Sequence, residues 1–158
     1  MLRRHATLTL LLGVSLLVGG CQERRDPPRV SINGKEWFVD ISMTNQARFQ
    51  GLSGRPVQPD NVGMLFIYAQ PKVLNFCMRD CAFPLDIAFL DANLCVVKTY
   101  TMQVEEDRAG VVAYSSIAPA QYVLETAAGT LQKAGVQAGA QAKFLGDVPP
   151  ASQAEDGP

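Results

Sequence analysis

VSINGKEWFVDI, residues 30–41, decides the fold class of this chain. Asn33-Gly34 fits the two positive-φ positions of a type I′ turn, and β-rich residues flank it on both sides. Trp37, Val39 and Ile41 alternate onto one face, which should be the core. Downstream, Thr44 can cap a short helix through Leu52, stopped by Gly54 and Pro56. Residues 63–68, GMLFIY, form a continuous apolar run of strand length, and 73–78 read as another strand. Residues 85–90, a turn at Asp91-Ala92-Asn93, and residues 94–102 form a second hairpin. If Leu90 and Leu94 flank that turn, Phe89 faces Cys95, Ile87 faces Val97, and Asp86 faces Lys98. After a charged loop at 103–110, strands are expected at 111–114, 121–126 and 140–145, with a short helix at 129–134. Short strands at close spacing predict a mostly-β fold with a minor α component, a small single-domain β-barrel-like body with one or two short helices. The βαβ alternation of a nucleotide-binding sheet, an internal repeat, and a G-x-G-x-x-G after a strand are all missing.

The ends of the chain set its expected location. Residues 1–20, MLRRHATLTLLLGVSLLVGG, read as a signal peptide: Arg3 and Arg4 give a positive start, and residues 8–18 an apolar stretch. That stretch is shorter than the roughly 20 apolar residues a bilayer-spanning helix needs. The Val18-Gly19-Gly20-Cys21 junction resembles the lipobox of bacterial lipoproteins. The resemblance implies that Cys21 is acylated and holds the protein to the lipid bilayer, several chains making a stable anchor. Gln22 after Cys21, in place of an aspartate, implies the outer membrane, with the domain facing the periplasm. Residues 21–28 read as a tether, 29–147 as the folded domain, and 148–158 as a disordered tail, being polar and proline-rich. The net charge of −1 over the whole chain offers nothing to nucleic acid. The single histidine, His5, falls in the signal segment, so a Ser-His-Asp triad or His-ligated zinc is not expected in the mature domain.

Five pieces then occur in order: QGLSGR (50–55), GMLF (63–66), Met78, PLDIAFLD (84–91) and APAQYVLE with a later Ala-Gly (118–129). Together they resemble the bacterial and archaeal DUF192 family, a domain of unknown function, over about residues 30–146. The resemblance implies a small β-barrel-like domain and leaves activity open. Members usually read Phe-Trp-Met-Lys-Asn-Thr where this chain has Phe76-Cys77-Met78-Arg79-Asp80-Cys81. They usually read Gly-Leu-Met-x-Arg where this chain has Ser53, and Gly-Asp where it has Gly139-Ala140.

Arg55, Asp86 and Glu125 are the charged residues inside the matching pieces. A charged pocket built from them would bind a small ligand or envelope component, Arg55 holding an anionic group and the carboxylates acting as partners. Their structural alternative is mutual satisfaction, with Asp86 and Lys98 as a cross-strand ion pair. Met43, Met64, Met78 and Met102 beside three thiols raise a soft-metal site. Methionine in apolar strands is ordinarily core filler, so no metal and no cofactor is assigned.

Cys77 and Cys81 are candidates for a disulfide, since thiols exported to an oxidising compartment pair when close. In a continuous strand they would lie about 13 Å apart, against the roughly 7 Å between Cα atoms that a disulfide tolerates. A bridge therefore requires residues 78–80 to turn. A redox or ligand-responsive pair, a metal clip and free thiols stay open as alternatives. Cys95, opposite Phe89, reads as a buried free thiol. The function expected is a non-catalytic ligand-binding or envelope-accessory module, with a carboxylate-dependent or thiol-based envelope enzyme as the alternative.

Overall fold

A computed structural model describes residues 26–156. The expected signal peptide, His5 and the acylation site Cys21 lie outside the described residues. The first hairpin forms as its sequence dictates. Strands β1 (Arg29–Ile32) and β2 (Lys35–Ser42) are joined by Asn33 and Gly34 at φ 51° and 81°, the left-handed pair that a type I′ turn requires. Trp37 and Val39 point into the core and Ile41 packs against its edge.

Helix α1 (Asn45–Gln50) follows, capped by Thr44, whose hydroxyl accepts from the Ala47 N–H at 3.1 Å. The long connection carrying this helix returns the chain so that β3 (Val62–Lys72) lies parallel to β2. A crossover of that length is what a parallel pair needs. The remaining large strands, β5 (Leu85–Leu90), β6 (Val96–Met102), β8 (Ala120–Ala127) and β9 (Ala142–Leu145), complete a seven-stranded sheet in the order β6-β5-β8-β3-β2-β1-β9. Two short strands, β4 (Asn75–Phe76) and β7 (Tyr114–Ser115), pair separately, and helix α2 (Thr130–Lys133) sits after β8.

The sheet curls into a half-barrel whose edges meet at one end. There the Val96 N–H donates to the Ala140 carbonyl at 2.9 Å, and the Ala142 N–H to the Leu94 carbonyl at 2.9 Å. The protein is thus mostly β, with two short helices in one small domain.

Both faces of the central strands are covered. Leu65, Ile67, Ala88, Leu90 and Leu124 join Trp37 in the concave core, whereas Met64, Phe66, Ile87, Phe89 and Val123 form a second core on the outer face. The alternation is the period-2 geometry of a strand, and burying each large side chain contributes about 1.5–3 kcal/mol. Gly63 marks where β3 and β8 approach closely: a Cβ there would come 2.5 Å from the Glu125 carbonyl oxygen. Met64, Met78 and Met102 fill the outer core and Met43 packs against the inner one.

Two expectations need correction. The second hairpin runs in a different register: Asp86 pairs with Thr101, Ile87 with Tyr100 and Phe89 with Lys98, with a bulge before the Leu90–Val96 pair. The Asp91 carboxylate accepts from the N–H groups of Asn93 (2.8 Å) and Cys95 (2.9 Å), and Leu94 takes φ 63°. This enlarged turn displaces the ladder, so the Asp86–Lys98 ion pair does not form and half-buried Cys95 bridges Gln141 instead.

Residues 148–156, within the segment expected to be disordered, are packed. They make a 3-10 turn at Ala151–Gln153, bury Ala154, and donate the Glu155 N–H to the Met43 carbonyl at 3.0 Å. The Glu155 carboxylate accepts from the Asn45 N–H at 2.7 Å, and Arg48 donates to the Glu155 carbonyl at 2.8 Å. Specific capping of α1 outweighs the polar composition that the expectation rested on.

Candidate functional site

Strand pairing places the three charged candidates apart. In the β5–β8 ladder Asp86 pairs with Thr126 and Ile87 with Glu125. Side chains paired across a ladder share a face and neighbours along a strand alternate, so Asp86 and Glu125 lie on opposite faces. Asp86, 1% exposed, accepts from the Leu131 N–H (2.9 Å) and the Thr101 hydroxyl (2.7 Å). It therefore holds the first turn of α2 against the sheet. Arg55 lies at the surface, paired with Asp40 at 2.5 Å. The expected convergence of Arg55, Asp86 and Glu125 on one pocket is not what the fold builds.

Arg55 borders a separate cavity of about 370 Å³ with Thr44, Gln50 and Met64, and Glu125 alone of the three lines a larger one. The cavity, of about 480 Å³, opens between α1, the turns that follow it and the 75–81 segment. Phe66, Tyr68 and Glu125 come from the outer face of β3 and β8, Phe49 and Leu52 from α1 and its exit, and Phe76, Cys77, Arg79 and Cys81 from the segment opposite. Phe66 meets Phe76 edge-on, ring centroids 4.9 Å apart, and Phe76 meets Phe89 in the same way at 5.7 Å. Such pairs hold their rings in fixed relative orientation.

Glu125 is 4% exposed, and among the described residues no hydrogen bond or ion pair meets its carboxyl. Burial pushes its pKa up to about 8, so at neutral pH the group is mainly a neutral acid that can both donate and accept. The same surroundings raise the Tyr68 phenol to about 12, chiefly by burial, and the Cys81 thiol to about 11, again chiefly by burial.

The two arginines of the lining are held by carbonyls and rings. Arg48 donates to the carbonyls of Met43 (2.8 Å) and Ile67 (2.9 Å) and lies 4.6 Å over the Tyr68 ring. Arg79 stacks 3.8 Å over Phe49 and donates to the Phe49 carbonyl. No carboxylate pairs with either guanidinium among the described residues.

The cysteine segment does turn. Asp80 takes φ 52° and the Cys81 N–H donates to the Met78 carbonyl at 3.2 Å. The Ser53 hydroxyl donates to the Arg79 carbonyl at 2.7 Å, and the Gly54 N–H to the Asp80 carbonyl at 3.0 Å, which ties this turn to the exit of α1. Yet the expected Cys77–Cys81 bridge is absent and both thiols are free: Cys77 is exposed, Cys81 is buried. The turn carries one side chain outward to the cavity mouth and the other into the outer core. A thiol raised as far as that of Cys81 is a poor nucleophile at neutral pH.

A family model, DUF192 ("Uncharacterized ACR"), matches residues 29–144. The chain belongs to the DUF192 family. Two solved structures show the same fold at 24% identity and a TM-score of 0.67. One is a protein of unknown function from Novosphingobium aromaticivorans DSM 12444, a match that covers 88% of this chain and 99% of that one. The other is a putative transcription regulator from Sinorhizobium meliloti 1021, covering 76% of this chain and 95% of that one. No curated protein matches.

Tyr68, Phe66, Phe76, Arg48 and Arg79 were not candidates on sequence. A signal for Glu125 was available: YVLET is apolar at both alternating positions, the mark of a strand covered on both faces. A carboxyl in such a strand is buried whichever way it points.

Proposed function

We propose that this DUF192 domain is a non-catalytic receptor for a small molecule, presented to the periplasm by an acylated Cys21 in the outer membrane. One observation carries the binding half: a nearly enclosed carboxyl with no protein partner among the described residues lines an aromatic-rich cavity. A ligand that hydrogen-bonds Glu125 would supply the partner that the surrounding side chains do not. The cavity combines aromatic side chains with several polar and charged groups that can orient a small molecule. A two-carboxylate hydrolytic mechanism would need a second acid in the lining, where Glu125 is the only one among the described residues. A thiolate mechanism would have to overcome the raised pKa of Cys81.

The binding half is tested with 4-hydroxybenzyl alcohol, a neutral aromatic probe, titrated into the purified full-length chain and followed by NMR. Saturable shifts are expected, centred on Tyr68 and Phe76. Cys77→Trp, which enlarges an exposed side chain at the mouth, should weaken them at least about tenfold. No saturable shift, or no effect of Cys77→Trp, would overturn the reading.

The anchor half rests on residues 1–21. Labelled fatty acid should enter the wild-type chain and not Cys21→Ser, which should leave the membrane fraction. Equal membrane retention of the variant would refute the anchor.

A further inference from the structure

The lining fixes a charge preference as well as a shape. Arg79 uses one N–H on the Phe49 carbonyl, and a guanidinium carries five. Its remaining donors face no carboxylate in the described residues; the acid next to it, Asp80, is exposed and lies outside the lining. Arg48 adds a second positive charge; it donates to the Glu155 backbone carbonyl, while the Glu155 carboxylate accepts from the Asn45 N–H at the start of α1. Asn45, Gln50, Ser53 and Asn75 add neutral polar groups to the lining. Glu125, in the same lining, offers a hydroxyl donor and a carbonyl acceptor without bringing a charge. Phe49, Phe66, Tyr68 and Phe76 supply aromatic surface to that lining.

We propose that the cavity selects small organic monoanions with an apolar body and a neutral hydrogen-bonding group at the far end, the anion meeting Arg79 and the neutral group meeting Glu125. The inference rests on the ligand-binding reading above and names the class of ligand. A cationic amine fits worse. It would enter a lining that already holds two guanidiniums, and it could find an ionic partner only by stripping the proton from a desolvated Glu125. An anion needs no such change, and hydrogen bonds to a charged group are the stronger ones.

A matched series separates the outcomes: 4-hydroxybenzoate, 4-hydroxybenzyl alcohol and 4-hydroxybenzylamine share ring and hydroxyl and differ in head-group charge. With the purified full-length chain, 4-hydroxybenzoate should bind about tenfold more tightly than the alcohol, and the amine no more tightly than the alcohol. Arg79→Gln should abolish the advantage of the anion over the alcohol, and Arg79→Lys, which keeps the charge without the stacked fork, should restore part of it. Because Arg79 also packs on Phe49, a measurement on the unaltered protein stands beside the variants: added salt should weaken the benzoate and leave the alcohol unmoved. An amine that binds as tightly as the benzoate, an advantage that survives Arg79→Gln, or affinity for the benzoate that salt does not touch overturns the charge assignment and leaves the receptor reading standing. Silence from all three probes overturns the receptor reading and this inference together.

Discussion

Glu125→Gln should make the protein more stable at pH 8 and remove most of the slope in its stability between about pH 5 and 8. The folded carboxyl titrates at about 8 against an ordinary value of 4.5, because burial penalises the charged form. Above pH 4.5 the unfolded chain releases this proton while the folded chain keeps it. Each step up in pH therefore favours unfolding, until the folded group also ionises near pH 8 and the loss levels off. The stability from this group is complete below about pH 4.5 and gone above about pH 8, a fall on the order of 3–5 kcal/mol. Tyr68 and Cys81, the other groups displaced in the cavity, titrate at about 12 and about 11 and do not contribute in this window. A glutamine keeps the shape and a hydrogen-bonding amide but has no proton to lose. Urea denaturation of both proteins at intervals from pH 5 to 9 checks this, and parallel curves would show that Glu125 ionises in the folded state like an exposed acid.

Asp86→Ala should cost about 2–4 kcal/mol of stability and leave ligand binding alone. The substitution strips the cap from the Leu131 N–H and the partner from the Thr101 hydroxyl, both tied to a carboxylate that is fully enclosed. Leaving buried donors unpaired is among the few ways a single change reaches that size. Because Asp86 faces the concave core and the cavity lies on the outer face, affinity for 4-hydroxybenzyl alcohol should stay within about twofold. Unchanged stability with lost binding would return Asp86 to the site and overturn its role as a cap.

Asp86 also shows where sequence reasoning lost the site. Its motif was legible and its strand was correctly placed, but its partner depended on the hairpin register. That register was decided by the carboxylate of Asp91 holding two N–H groups and by the left-handed Leu94, which lengthen the turn. No hydrophobic pattern encodes such a shift, since strands on either side stay apolar in any register. Arg55 failed for a related reason: proximity to Asp40 follows from β2 and the loop after α1 meeting in space. Glu125 was singled out as a residue of interest, yet its companions in the cavity came from positions 44 to 80 residues away in the chain. Arg79 reached the cavity only because residues 78–81 turn, and Ser53 and Gly54 secure that turn from the other side.

By itself, the sequence determined the strands and the class of fold. Asn33-Gly34, the alternation of Trp37 and Val39, and the apolar runs at 63–68 and 85–90 are local instructions. Backbone sterics and period-2 burial read them without reference to anything distant. It also determined that Cys77 and Cys81 could meet only across a turn. The tertiary structure alone decided which side of the sheet each acid faces, that Asp86 caps a helix while Glu125 stands unpaired in a cavity, and that the two thiols diverge. Those outcomes depend on register, on bulges and on which loops cover the outer face. They are set by the simultaneous fit of many weak contacts, and no single stretch of chain carries them.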